Sequence, residues 1–199
     1  MLSSGVRADP LVDNLDDTPL GASVLFTVSP GSQFTTGSEQ GTLNSITVSM
    51  KKAPDPTSEI LLYLYSNAAS GTYADGVPGT VLEELSYDSF VDANYTFTSS
   101  DFPLAENTSY WVIMDMGGTG TALEWNYSNS FYSPGANQAT IQHYIQTSDG
   151  STWNDGGGFY NFEPQMMAVD FSPIPEPASL ALIGLASGFG LFIRRQFLI

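Results

Sequence analysis

The 199-residue sequence contains no cysteine, one histidine, and only five lysine and arginine residues. The absence of cysteine excludes disulfide bonds, thiolate metal ligands and thiol catalysis. With only His143 available, a zinc site would need carboxylates for its other ligands, which is an uncommon set for that metal. His143 lies two residues from both Ile141 and Ile145, a spacing that places all three on one face of a strand. We therefore expect His143 to be a core residue on the inward face.

Positive charge is scarce, and its position is informative. The chain has 21 Asp and Glu residues and a formal net charge of -16. Every acidic residue lies at or before Glu176, whereas Arg194 and Arg195 follow it, so residues 1–177 carry 3 − 21 = −18. A surface of this sign repels phosphate backbones, which excludes nucleic acid as a partner.

What the sequence does contain is short apolar runs with a period of two residues. In one of them Ile46, Val48 and Met50 alternate with Thr47 and Ser49, as expected for a strand with one buried face. Clusters of Gly, Pro, Asn, Asp and Ser separate the runs, and no amphipathic helix is visible. The pattern predicts an all-β fold, an antiparallel β-sandwich or jelly-roll-like domain. The runs are residues 46–50, 59–65, 80–85, 93–98, 109–116, 122–127, 140–147 and 166–171.

The domain organisation follows from the composition at the two ends. Residues 1–20 are predicted to be a flexible polar lead-in without a recognisable signal peptide, which would then lie upstream of Met1. Residues 21–172 are predicted to form the sandwich, and residues 173–199 a separate segment that begins with a proline spacer. Residues 178–193 carry no charge and are predicted to form a single hydrophobic helix of about 24 Å, with Arg194 and Arg195 flanking it on the cytoplasmic side.

The C-terminal segment has an ordered set of features. Pro175-Glu176-Pro177, the glycine-bearing apolar run and Arg194-Arg195 together resemble the PEP-CTERM sorting signal of Gram-negative bacteria that possess an exosortase. The resemblance implies that an exosortase in the inner membrane recognises the segment and cleaves near Pro-Glu-Pro. It also implies release of the domain to the cell envelope, the outer surface or the extracellular exopolysaccharide matrix, with Glu176 serving recognition and not catalysis.

The body of the chain resembles a second family. The stretches Gln33-Phe-Thr-Thr-Gly-Ser, Pro78-Gly-Thr-Val-Leu and Leu104-Ala-Glu-Asn-Thr-Ser-Tyr-Trp-Val are similar to the choice-of-anchor domains, most closely type R. These are exported β-sandwich domains attached to alternative C-terminal sorting signals. The resemblance supplies no catalytic residues, so it implies a non-enzymatic protein.

Several residue sets are candidates for binding or chemistry. Exposed aromatic rings stack on sugar rings, and Trp153, Tyr160 and Trp125 are the candidates for a carbohydrate-binding surface, whereas Trp111 is expected in the core. Calcium is the one cofactor that the acidic loops suggest, with Asp149, Asn154 and Asp155 as its ligands. Glycoside hydrolysis needs two carboxyl groups about 5 to 9.5 Å apart. The candidate pairs are Glu83 with Glu84, Asp13 with Asp16 or Asp17, and Asp115 with Glu124.

The sequence therefore predicts an exported surface or matrix protein with a structural or adhesive role. A carbohydrate-binding module of the matrix is the alternative, and a glycoside hydrolase is a weaker one.

Overall fold

A computed structural model of the protein describes residues 10–25, 28–51, 60–91, 93–115, 123–128, 139–148, 152–154 and 163–174. Within these ranges the chain forms twelve strands and no helix, so the prediction of an all-β fold is confirmed. The helix predicted over 178–193 lies outside the described residues. The strands are β1 Val12–Asp13, β2 Gly21–Leu25, β3 Ser29–Thr35, β4 Gly41–Ser49, β5 Leu61–Ala68, β6 Val77–Val91, β7 Asn94–Thr98, β8 Pro103–Leu104, β9 Ser109–Asp115, β10 Leu123–Tyr127, β11 Thr140–Thr147 and β12 Met167–Pro173.

Ten of these strands join in one antiparallel path, in the order β1-β12-β4-β7-β6-β5-β9-β3-β11, with β8 added to β4. Strand β6 belongs to both halves of the path: its residues 77–85 pair with β5, and its residues 86–91 pair with β7. Both pairings contain register shifts, and such bulges bend and twist a strand. The remaining strands, β2 and β10, form a small separate sheet.

The two halves of the path enclose one hydrophobic core. Strands β3, β5 and β9 contribute Phe34, Leu64 and Val112, and strands β4, β7 and β12 contribute Ile46, Phe97 and Val169. All six side chains are fully buried. The halves therefore pack face to face as two layers, and burial of this apolar surface is the main force that holds them together.

Strand β3 is a central strand that the sequence did not reveal, because Ser29-Pro-Gly-Ser reads as a turn. In the fold β3 lies between β9 and β11. The end of the Ile113 side chain occupies the space that a Cβ on Gly31 would need, so a larger residue at this position would force that side chain to move.

The N-terminal prediction is wrong over residues 11–14. These residues are part of the domain, because β1 pairs with β12 through Val12↔Val169 and Asp13↔Ala168. Leu11 and Val12 are fully buried. The pairing joins residues more than 150 positions apart, which local sequence pattern does not report.

Strand β11 also departs from simple alternation. Its register with β3 shifts between Gln142 and Tyr144, so His143 occupies a β-bulge. Ile141 consequently lies in the main core, whereas Ile145 lies in a second cluster on the opposite face of the sheet. The prediction that both isoleucines share one face with His143 is therefore wrong, because an extra residue reverses the alternation.

Candidate functional site

The end of the domain and the start of the sorting segment form a short junction. Strand β12 remains paired with β4 up to Pro173↔Gly41. One residue further, the main-chain N–H of Ile174 donates a hydrogen bond to the carbonyl oxygen of Gln40 at 3.0 Å. Pro175, the first residue of Pro-Glu-Pro, follows immediately. The junction therefore offers no spacer between the last hydrogen-bonded residue and the tripeptide.

Local contacts fix this junction. The Asn44 side chain donates to Ser172 Oγ at 3.1 Å, and Ser172 Oγ and Asn44 Oδ1 lie 3.2 Å apart. The ring of Phe171 and the carbonyl of Ser172 fill the space beside Gly41, so a side chain there would displace the end of β12. Ser172, Pro173 and Ile174 are nevertheless exposed, which leaves this end of the strand accessible to a partner.

The sorting residues themselves, Pro175, Glu176, Pro177, Arg194 and Arg195, lie outside the described residues. Among the residues that the structure does describe, no helix is long and apolar enough to cross a membrane.

Comparison with known families identifies the segment that leaves this junction. The family model of the PEP-CTERM protein-sorting motif matches residues 173–196, which begin at the last residue of β12. The match defines an exported protein that carries a C-terminal sorting segment. More specifically, the motif indicates a protein targeted by an exosortase, which recognises it during export through the membrane to the cell envelope or surface. The match does not extend over the domain in front of it, and no curated protein matches the chain.

The three candidate stacking residues differ in how the structure describes them. Trp125 is fully buried, and its indole N–H donates to the carbonyl oxygen of Met166 at 3.0 Å. Trp125 is thus a core residue and cannot stack on a ligand, which corrects the prediction. Trp153 is half-buried and Tyr160 lies outside the described residues. The expectation that Trp111 is a core residue is confirmed, since it is 1% exposed.

Trp153 belongs to a row of aromatic rings on the outer side of one layer, which we call the aromatic face: Tyr63, Tyr65 and Trp153. The rings of Tyr63 and Tyr65 meet edge to face with centroids 6.4 Å apart, and those of Tyr65 and Trp153 do so at 6.1 Å. Trp153 is brought to this face by a return of the chain, because Asn154 pairs with Gln146 of β11. The three rings are half-buried, so each keeps part of its surface open to solvent.

A buried layer supports the aromatic face from below. Trp111, Ile113 and Ile145 form a cluster against which Tyr65, Val77 and Trp153 pack. The indole N–H of Trp111 donates to Asn67 Oδ1 at 2.9 Å, and Gln33 Nε2 donates to the carbonyl oxygen of Asp75 at 2.9 Å. The rings thus rest on a packed and hydrogen-bonded base that limits their movement.

Two exposed carboxylates share this side of the sheet. Glu84 lies directly opposite Tyr63 on β6, and Asp115 lies opposite Leu61 on β9, two residues from Tyr63 along β5. Side chains of residues that pair directly across two strands point to the same side of the sheet, and so do those of residues two positions apart along one strand. Burial raises the pKa of Tyr65, and the negative charge of Asp115 raises it further, so this carboxylate is close to the tyrosine ring.

The carboxylates of the candidate pairs for hydrolysis lie in different local environments. Glu83 and Glu84 are neighbours on β6 and therefore point to opposite sides of the sheet. Glu83 is also engaged: it accepts hydrogen bonds from the hydroxyls of Ser99 at 2.7 Å and Ser100 at 2.6 Å. Glu124 pairs with Lys51 at 2.8 Å, and Asp17 accepts a hydrogen bond from Ser128 Oγ at 3.0 Å.

The calcium candidates are described only in part. Asn154 is exposed, and its side-chain oxygen accepts a hydrogen bond from Gln146 Nε2 at 3.4 Å, while Asp149 and Asp155 lie outside the described residues. In the described part of the chain no three His, Cys, Asp or Glu residues are grouped so that they could hold a metal ion.

Sequence reasoning overlooked Tyr63 and Tyr65 as surface residues. They lie in a run that is apolar on both sides, which predicts a strand covered on both faces. The tyrosine hydroxyl groups were the available signal, because Tyr is amphipathic and commonly keeps its polar end in water.

Proposed function

We propose that this protein is a non-enzymatic domain that an exosortase releases from its sorting segment for a structural or adhesive role at the cell surface or in the exopolysaccharide matrix. Its 21–172 region, completed by the pairing of β1 with β12, acts as a β-sandwich of the choice-of-anchor kind. Residues 178–193 hold the protein in the inner membrane as a helix during transit. The match of residues 173–196 to the sorting motif is the observation that carries this proposal.

The junction supports delivery of a folded domain. Since β12 is hydrogen-bonded through Ile174, the domain is complete before the tripeptide begins. Removal of the segment after Pro177 would leave every strand of the described fold intact. The acidic surface, −18 over residues 1–177, suits a domain that must remain soluble after release.

Carbohydrate binding is a second candidate role. It is favoured by the half-buried Trp153, which packs against Tyr65 on the outer side of the sheet. Aromatic side chains in such positions contribute apolar contact surface for sugar rings. Tyr160, whose position in the sequence is close to Trp153, stays a prediction for the same surface.

Substitution of the tripeptide glutamate tests the sorting proposal. Glu176→Gln keeps the size of the side chain and removes its charge, so it should block recognition while the apolar run still partitions into the membrane. We expect the variant to accumulate at full length in the membrane fraction of an exosortase-bearing host. Glu106→Gln, which alters an exposed carboxylate of the domain, is the matched control and should be processed normally. Normal processing of Glu176→Gln would contradict the assigned role of Glu176.

A further inference from the structure

We propose that the aromatic face, Tyr63, Tyr65 and Trp153 with Glu84 and Asp115 beside them, binds a polysaccharide that carries protonated amino groups. This inference rests on the proposed extracellular role and names the ligand class for that role. The sugar rings would pack on the aromatic side chains, and the ammonium groups would lie against the two carboxylates.

The three rings stand in a row in which each meets the next edge to face. Their centroids are separated by 6.4 Å and 6.1 Å, and each ring is half-buried on a rigid base. A half-buried ring that is already ordered loses little conformational entropy when a ligand covers it. Val81, which lies opposite Tyr65 and is 51% exposed, extends the apolar strip toward the edge of the sheet.

The two carboxylates give the aromatic face a negative charge. Glu84 and Asp115 are both exposed and lie on either side of β5, which carries Tyr63 and Tyr65. Lys51 is the single Lys or Arg in the described part of the chain, and its ammonium group pairs with Glu124 on β10. The aromatic face therefore combines π surfaces and negative charge, and both attract cations.

Charge also decides between classes of polysaccharide. With a net charge of −18 over residues 1–177, the domain repels polymers of uronic acids or sulfated sugars. A neutral polysaccharide could stack on the rings but would not use the carboxylates. An amino-sugar polymer satisfies both features of the face, and electrostatic attraction would also accelerate its association.

The test compares two ligands that share one sugar backbone and differ at the C2 nitrogen, which is a free amine in one and an acetamide in the other. The β-1,4 hexamers of glucosamine and of N-acetylglucosamine share a backbone, and at about pH 6 the amines of the first are protonated. Calorimetry on the full-length protein, produced without an exosortase and kept in mild detergent, should show the glucosamine hexamer binding about ten-fold more tightly than the acetylated one. Because no processing is required, loss of binding would count against this inference and leave the sorting proposal untouched.

Variants separate the contributions of ring and charge. Trp153→Ala and Tyr63→Thr should each weaken binding of both hexamers by about ten-fold. Threonine is chosen at the half-buried position 63 because it is favourable in a β-strand. The double variant Glu84→Gln with Asp115→Asn should retain binding but abolish the preference for the glucosamine hexamer. The control is the double variant Glu39→Gln with Glu106→Gln, which changes the net charge by the same amount. Both residues are exposed and lie on loops outside the strands, so this variant should keep the preference for the glucosamine hexamer.

Three results would overturn the proposal. One is equal affinity for the two hexamers at an ionic strength of about 0.1 M, where the screening length is still about 10 Å. Another is an unchanged affinity in both ring variants while their thermal melts remain normal. The third is binding of penta-lysine as tightly as the glucosamine hexamer, which would show that the surface recognises charge without sugar.

Discussion

The side chain of Asn14 connects the N-terminal strand to the rest of the domain by hydrogen bonds, and its removal should lower the free energy of unfolding by an unusually large amount. The side chain is 3% exposed and lies directly after β1. Its Oδ1 accepts a hydrogen bond from the main-chain N–H of Met167 at 2.7 Å. Its Nδ2 donates to Ser128 Oγ at 3.3 Å and to the carbonyl oxygen of Gln165 at 3.4 Å. One amide thus connects β1, the start of β12 and the residue that follows β10.

The cost of Asn14→Ala can be worked out from these contacts. The short Met167 bond is the main contribution, because its loss leaves a buried N–H without a partner, and such a group costs about 1 to 3 kcal/mol. The two longer bonds add about 1 kcal/mol together, since each is at the limit of useful geometry. We therefore expect Asn14→Ala to lower the free energy of unfolding by about 2 to 4 kcal/mol.

Urea unfolding followed by tryptophan fluorescence measures this effect. With a slope of about 2 kcal/mol per molar urea, the midpoint should fall by about 1 to 2 M. Asn44→Ala is the matched control, because Asn44 also bonds a serine hydroxyl but only in an exposed contact. Its cost should stay below about 0.5 kcal/mol. Equal midpoints for the two variants would refute the claim that residues 11–14 belong to the folded domain.

Two further predictions concern pH and calcium. Burial, with a smaller contribution from the Tyr87 phenol, raises the pKa of Tyr95 to about 12, so the folded state holds this proton more tightly than the unfolded state. The contribution of Tyr95 to the free energy of unfolding should therefore be fully present below about pH 10 and fall by up to about 3 kcal/mol as the pH approaches 12. An equally steep loss of stability at alkaline pH in Tyr95→Phe would contradict this assignment. If Asp149, Asn154 and Asp155 bind calcium, EDTA should lower the melting temperature and added calcium should restore it; an unchanged melt would remove the calcium hypothesis.

Local pattern was sufficient for the strands whose side chains alternate without interruption. Ile46, Val48 and Met50 are all fully buried, as their spacing predicted. Tyr110, Val112 and Met114 of β9 also share one face and belong to the main core. In these strands the apolar residues are the buried ones, so the period of two residues is enough to predict which side chains face the core.

The sequence did not predict features that depend on distant contacts. The burial of Leu11 and Val12 comes from pairing with β12, and Pro30 and Gly31 lie in a central strand because β9 and β11 flank it. The bulge at His143 inserts one residue and moves Ile145 to the opposite face.

The candidate site was predictable in its sorting part and not in its aromatic part. Sorting depends on a linear order of residues, which sequence displays directly. The aromatic face depends on Tyr65 and Trp153 meeting across the outer side of a sheet, although they are 88 positions apart in sequence (153 − 65). Trp125 was expected to be exposed, yet it is buried and its indole N–H donates to an acceptor inside the core.

The intact mass of the protein isolated from an exosortase-bearing host tests the central claim most directly. Processing after Pro-Glu-Pro should yield a domain that ends at Pro177, shorter by the 22 residues from Ala178 to Ile199 (199 − 178 + 1), and recovered outside the inner membrane. The same protein from a host without exosortase should retain its full C-terminus. A full-length mass in both hosts, with the protein in the membrane fraction, would contradict sorting and indicate a permanent membrane anchor.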